Sequence, residues 1–228
     1  MAPVHHWQGE SKGNNLPNFS RKDVYKFMKL DTLLAALEQP AIHTSALDLL
    51  DSDITSLAYD SRTVAPGGLF IAVPGTHTDG QRFLDDAARR GAIVALGEPL
   101  HAASTSPIPY LEVADVRSAL ADLACAFYHY PAQHLCTIGI TGTDGKTTTA
   151  NLISTLLETA GKPSGLMTTA NFKIKGQEWE NATRQSTLEA LEIQQLLRRM
   201  LDEHVTHAVV EATSHGLEFQ RVRGCAFD

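Results

Sequence analysis

Hydrophobic and polar positions along the chain change period several times, and each change marks an element. From Thr137 the run "TIGI" is short and apolar, as in a buried strand, and it runs into a glycine-bearing turn. Beyond the turn, Ile153, Leu156, Leu157 and Ala160 recur at i, i+3, i+4 and i+7. This predicts a helix with those four residues inward and Gly161 as its stop. "SGLMTTA" reads as a second strand and "NFKIKGQEWE" as a hairpin around Gly176. Ser186 and Glu189 have capping-box spacing ahead of a helix whose buried stripe is Ile193, Leu196, Leu197, Met200 and Leu201. "THAVVEATSHG" is a third strand that turns polar at its C-terminal end. Alternating strands and helices predict a parallel sheet with right-handed crossovers, and ligands collect at the C-terminal ends of such strands.

The stretch before Pro131 follows a related pattern. "MKLDTLLAALEQP" predicts a short helix ending near Pro40, and "SLAYDSR" and "GLFIAVPG" predict strands around the turn Ala65-Pro66-Gly67-Gly68. "QRFLDDAARRG" predicts a helix with Phe83, Leu84, Ala87 and Ala88 on one face, stopped by Gly91. "AIVAL" is a buried strand. "ADVRSALADLACAFYHYP" is a helix with Val116, Leu120, Leu123, Ala124 and Phe127 inward. The expected fold class is α/β: a small α/β N-terminal domain over 28–133, then a parallel-sheet domain with a phosphate loop over 134–228. The polar, aperiodic residues 1–27 are expected to form a disordered extension. Three parallel strands make a thin sheet, and Ala226-Phe227-Asp228 reads as the entry to another, so the second domain is expected to be incomplete.

Composition narrows the function classes. Hydrophobic residues make up 43% and charged residues 20% of the 228, ordinary for a globular protein. The net charge of -7 argues against a protein that wraps nucleic acid. Cys125, Cys136 and Cys225 are widely spaced and show no zinc pattern, which suits reduced thiols in a cytoplasmic protein. No apolar run approaches the roughly 18 residues of a membrane span. His5-His6 has no partners in sequence and reads as part of a tail.

The candidate chemistry begins at "GITGTDGKTTT". The strict phosphate-loop pattern places a first glycine where Ile140 stands, so that pattern fails. Its physics survives: Gly142 and Gly145 permit positive φ, and the helix N-terminus offers unpaired amides. Lys146 can reach phosphates, and the Thr147 hydroxyl can bind Mg²⁺. A glycine turn capped by Lys and Thr is the alternative. Glu211, at the end of "AVVE", is placed to hold Mg²⁺ beside such a loop, or else is a solvated loop acid. Ser214-His215 is not a nucleophile and base pair. Asp60-Ser61-Arg62 either binds a phosphorylated ligand or forms a turn with a surface ion pair.

These segments together resemble the Mur ligases. The loop is similar to the family's Gly-x-x-Gly-x-Asn-Gly-Lys-Thr-Thr, and "DSRTVAPGGLFIAVPGTHTDGQRF" resembles its UDP-binding domain. "EATSHGLEFQR" resembles a segment of the tripeptide-synthetase branch, which acts on UDP-N-acetylmuramoyl-L-alanyl-D-glutamate. The resemblance spans about Met28 to Asp228. It implies an ATP-dependent carbon–nitrogen ligase of peptidoglycan synthesis, working through an acyl phosphate with ATP and Mg²⁺ as cofactors. Its partners would be UDP-N-acetylmuramoyl-dipeptide and a free amino acid, and it would be a monomer. It implies that Gly142, Thr143, Asp144, Gly145, Lys146, Thr147 and Thr148 bind ATP. Lys146 and Glu211 would be catalytic, and Thr147 with Glu211 would hold the metal. Ser61, Thr76, His77, Thr78, Ser186, Thr187, Thr213 and Arg221 would bind substrate. Asp144 stands where the family has Asn, Ser186 replaces a Thr, Thr213 replaces a Ser, and Phe219 falls where a Gln is usual. The family's downstream His-bearing segment, carbamylated lysine and third domain are not within these residues, so weak or no ligase activity is expected of this chain alone. The alternatives are a stand-alone UDP-sugar or nucleotide-binding module, or a folylpolyglutamate- or cyanophycin-type relative.

Overall fold

The structure, a computed structural model, describes residues 27–43, 47–75, 78–101, 105–181 and 187–228. The expected extension over 1–27 therefore lies, apart from Phe27, outside the described residues. The chain divides into two compact units, one within Tyr25–Tyr128 and the other within His129–Asp228.

The first unit contains β1 (Met28–Lys29), α1 (Leu30–Leu34), β2 (Ile42–His43), β3 (Asp53–Ile54), β4 (Leu57–Ala58), β5 (Gly68–Ala72), α2 (Leu84–Arg89), β6 (Ala92–Gly97), β7 (Tyr110–Glu112) and α3 (Val116–Phe127). Its main sheet runs β2-β7-β6-β5-β4, parallel except for β2. Every residue of β5 is buried, which is why "GLFIA" reads as an unbroken apolar run rather than an alternating one. The α3 helix starts where Asp115 accepts hydrogen bonds from the amides of Arg117 and Ser118, and its five expected inward residues are all buried.

Three expectations need correction here. The helix at Met28 is shorter and preceded by a strand, because Met28 and Lys29 pair with Ile54 and Asp53. The strand expected through "SLAYDSR" stops at Ala58, since Asp60 caps a 3₁₀ turn over Ser61–Thr63. The helix expected from Gln81 begins as a 3₁₀ turn over Gly80–Phe83, which swings Phe83 outward to 42% exposure while Leu84 and Ala87 stay buried.

The second unit contains β8 (Cys136–Ile140), α4 (Lys146–Thr159), β9 (Ser164–Met167), β10 (Asn171–Ile174), β11 (Gln177–Glu180), α5 (Ala190–Asp202), β12 (His207–Glu211) and α6 (Ser214–Glu218). The sheet order is β11-β10-β9-β12-β8. The strands β9, β12 and β8 are parallel, as expected, and β10 and β11 add an antiparallel hairpin. Lys175 and Gly176 form its two-residue turn, both at positive φ.

The sheet is covered on both faces. Ala208 and Val210 join the core that contains Ile193, Leu196, Leu197 and Met200 of α5. Val209, pointing the other way, joins Ala150 and Leu166, with Ile153 and Leu157 of α4 against them. A Cβ on Gly165 would lie 2.4 Å from the Met200 sulfur, so glycine in β9 lets α5 settle onto the sheet.

The stripe expected on α4 is displaced. Ala150, Ile153, Ser154 and Leu157 turn toward the sheet, Ala160 is exposed, and Leu156 is 67% exposed beside Leu152 at 60%. The capping box before α5 is not formed. The helix begins at Ala190 with Glu189 as its N-cap and no side-chain cap bond, and Ser186 lies outside the described residues. Among the described residues, no helix is long and apolar enough to cross a membrane.

The two faces of the second sheet differ in what they tolerate. Phe172→Ala, in the fully buried α5-side core, is expected to cost about 3–5 kcal/mol in urea unfolding. Leu156→Ala should change stability by no more than about 0.5 kcal/mol. A loss above about 2 kcal/mol at Leu156 would show that this side chain is buried in the folded protein.

Candidate functional site

Parallel pairing brings three strand ends together in the second unit. Glu211, the last residue of β12, is in register with Ile140, the last residue of β8, and Val210 pairs with Met167 at the end of β9. The glycine loop therefore leaves β8 beside Glu211, and Thr168-Thr169 leave β9 on its other side.

Within the loop, Gly142 has φ 147° and Gly145 φ 75°. No neighbouring atom approaches the Cβ position of Gly145, so backbone conformation rather than crowding calls for glycine there. Gly145 caps α4 in the left-handed conformation without a side-chain bond, so the first amides of a 14-residue helix point into the open loop. Thr143, Asp144 and Thr148 are exposed around it. The Lys146 ammonium folds back and donates to the carbonyls of Gly142 (2.8 Å) and Thr143 (3.0 Å).

Glu211 is 4% exposed, so its carboxylate depends on protein donors. The Thr147 hydroxyl donates to Oε2 at 2.8 Å. Thr169 donates its backbone amide to Oε2 at 3.1 Å and its hydroxyl to Oε1 at 3.0 Å. Thr147 and Glu211 thus meet 64 positions apart in sequence. Thr169 was not singled out in the sequence; its one signal was position, a hydroxyl just past a parallel strand's C-terminal end. Among the described residues no group of three or more His, Cys, Asp or Glu could hold a metal. One carboxylate and one hydroxyl beside a helix N-terminus nonetheless suit Mg²⁺, which takes one or two protein oxygens and completes its shell with phosphates and water.

A second cluster lies past β12. Thr213 caps α6 by accepting from the Gly216 amide at 3.1 Å, and its hydroxyl lies 2.9 Å from that of Thr187. Arg221 donates to the Thr187 carbonyl at 3.0 Å and pairs with Glu189 at 2.6 Å. Its guanidinium sits 5.6 Å from the centre of the Phe219 ring, so the phenyl ring serves as its shelf. Glu189, expected to cap a helix, instead holds Arg221. Ser214 and His215 sit in the first turn of α6 rather than on a strand.

In the first unit, Ser61 is 5% exposed and borders a cavity of about 580 Å³ lined also by Tyr59, Arg62, Thr78, Phe83 and Asp86. Thr76 and His77 lie outside the described residues. Arg62 grips Asp60 through both carboxylate oxygens, and its side-chain bonds hold the Asp60 carboxyl below its usual range. The turn and ion pair are thus both present, and Ser61 is left facing the cavity. The Asp86 carboxyl is held below its usual range by the nearby Ser61 hydroxyl and by the Arg90 guanidinium, which donates to it at 2.9 Å. Asp86 was not anticipated from sequence. The "DG" of "TDGQRF" has a structural reason. Asp79 caps the 3₁₀ turn, and a Cβ on Gly80 would lie 2.7 Å from the Ala72–Val73 backbone.

The two units match known domains. Residues 140–228 match the Mur ligase middle domain, and residues 53–128 match the Mur ligase family catalytic domain. The chain is 44% identical over 203 residues to a UDP-N-acetylmuramyl-tripeptide synthetase of Roseiflexus sp. (strain RS-1), covering 88% of this chain and 39% of that protein. It is 42% identical over 181 residues to a UDP-N-acetylmuramoyl-L-alanyl-D-glutamate–2,6-diaminopimelate ligase of Gloeobacter violaceus, covering 79% of this chain and 36% of that one. A solved structure of a ligase of the latter name superposes with a TM-score of 0.70 at 26% identity, covering 89% of this chain and 39% of that chain. The chain thus spans about two fifths of the length of these relatives.

The buried carboxylate sets a measurable expectation. Thr169→Val removes one hydroxyl donor from Glu211 and should cost about 1–3 kcal/mol in urea unfolding. In a Glu211→Ala background the same change should be nearly neutral. Equal costs in both backgrounds would show that the Thr169 hydroxyl does not support the carboxylate.

Proposed function

This chain belongs to the Mur ligase family, and on that premise we propose that it is the UDP-binding and ATP-binding part of a cytoplasmic, monomeric ligase of peptidoglycan synthesis. The reaction we assign joins an amino acid to UDP-N-acetylmuramoyl-L-alanyl-D-glutamate at the expense of ATP. The observation that carries the reading is the 2.8 Å bond between Thr147 and Glu211, which couples the glycine loop to a buried acid at a strand end. The cytoplasmic setting rests on the wide spacing and odd number of Cys125, Cys136 and Cys225, which show no zinc pattern and suit reduced thiols.

In this reading the loop amides from Gly142 to Thr148 and the Lys146 ammonium hold the nucleotide phosphates. Lys146 exchanges its bonds to Gly142 and Thr143 for phosphate oxygens. Thr147 and Glu211 would hold Mg²⁺, which supplies charge neutralisation on the phosphates. The substrate carboxylate attacks the γ-phosphorus, forming a phosphorus–oxygen bond as the bond to ADP breaks. The incoming amine then attacks the acyl carbon of the resulting acyl phosphate, phosphate departs and the amine loses a proton. Charge develops on the transferring oxygens, where the helix amides and the re-directed Lys146 ammonium would stabilise it. Arg221, Thr187 and Thr213, with Ser186, contact the muramoyl-peptide. Ser61 and Thr78, with Thr76 and His77, contact the UDP end.

The two binding functions should separate. By titration calorimetry, Lys146→Ala should weaken Mg·ATP binding at least about tenfold, or about 1.4 kcal/mol. UDP binding should be unaffected by that change. Ser61→Ala should weaken UDP binding and leave Mg·ATP unaffected. Mg·ATP binding that survives Lys146→Ala unchanged would remove the phosphate-loop assignment.

A further inference from the structure

We propose that Asn171, together with Asn151, is a positioning residue for the metal-dependent part of nucleotide binding. The two amides close a ring of hydrogen bonds that holds Thr147 and Thr169 against the carboxylate of Glu211. This rests on reading the glycine loop and Glu211 as the Mg·ATP site.

The ring begins with the alternation of β10. Phe172 and Ile174 enter the core under α5, so Asn171 and Lys173 face the side of the sheet that carries α4. Lys173 reaches Glu158 of that helix at 2.5 Å, and Asn171 reaches Asn151, about two turns nearer the helix start. The Asn171 amide nitrogen donates to the Asn151 oxygen at 3.2 Å and to Glu178 at 2.5 Å. Its oxygen accepts from the Thr168 hydroxyl at 2.6 Å and from the Asn151 amide at 3.4 Å. A carboxamide has two donor hydrogens and two acceptor lone pairs, so Asn171 has all four engaged.

From there the bonds run to both sides of the acid. Asn151 also donates to the Thr147 carbonyl at 2.9 Å, and the Thr147 hydroxyl donates to Glu211. On the other side, the Thr168 hydroxyl accepts from the amides of Ala170 at 3.2 Å and Asn171 at 3.0 Å, which folds the segment after β9 into a turn. Asn181 pins that turn by donating to the Thr168 carbonyl at 3.0 Å. The turn presents the Thr169 amide and hydroxyl to the two oxygens of Glu211. Apart from Glu211, the ring consists of Thr147, Asn151, Asn171, Thr168 and Thr169, all uncharged. It orients the acid without neutralising it, which leaves the negative charge for a metal.

The test is calorimetric titration of the 228-residue chain with ATP, once in excess Mg²⁺ and once in EDTA. The unsubstituted chain should bind at least about tenfold more tightly with Mg²⁺. Asn171→Ala should shrink that gain to below about threefold, in line with the roughly tenfold or larger cost of removing a group that orients a metal ligand. Metal-free ATP, held by the loop amides and Lys146, should change by less than about twofold. Asn151→Ala breaks the ring on its other side, at a helical position that suits alanine, and should give the same pattern even if Asn171→Ala does not fold. Glu178→Gln keeps an acceptor for Asn171 and removes a charge, so the gain should stay intact. In a Thr169→Val chain, Asn171→Ala should cost less than it does alone. A full Mg²⁺ gain in the Asn171→Ala and Asn151→Ala chains would overturn the proposal while the Mg·ATP site itself stands. Equal weakening of ATP with and without metal would do the same, since it would mark the ring as support for the fold alone. An unsubstituted chain that binds no ATP, or binds it with no gain from Mg²⁺, would remove the reading of the site and this inference with it.

Discussion

A carboxylate taken out of water must be surrounded by donors, and the second unit is organised around meeting that requirement at Glu211. Its donors come from the helix after β8 and from the segment after β9, while the acid ends β12 between them. A one-residue slip between β12 and either neighbour would turn the acid to the opposite face of the sheet. Strand register, the loop and the first turn of α4 are therefore specified together. The buried alternation of Ala208, Val209 and Val210 enforces the same register from below, because each face of β12 fits only one of the two helical cores.

Much of this was legible in the sequence, because it is local. The strand, glycines, Lys146 and helix follow one another directly, and the Gly176 hairpin needs only its own two turn residues. What was not legible depends on distant partners. Nothing near Glu189 says that Arg221, 32 positions on, will claim it. Nothing near Ser61 says that Phe83 and Asp86 will line the same cavity. The stripe on α4 misled because its sequence carries two apolar columns. Periodicity cannot say which of them meets a sheet, and the column of Ala150, Ile153 and Leu157 does. Phe83 misled for a different reason: a 3₁₀ turn rotates side chains by a different amount per residue than an α-helix does.

The two units use similar means to different ends. In each, a polar residue just past a strand caps the next turn, and a glycine permits close approach or a left-handed backbone. In the first unit Asp79 and Gly80 press a turn against β5, while in the second Gly142 and Gly145 hold a loop open. The first device produces packing. The second leaves amides unpaired for a ligand.

Lys146 already has two carbonyl partners when the loop is open. Its ammonium is not a bare charge waiting for any anion. Polyphosphates can supply oxygens to both the lysine and the helix amides. In the proposed reading, a phosphate that takes up the Lys146 ammonium has to compensate for both of those carbonyl bonds.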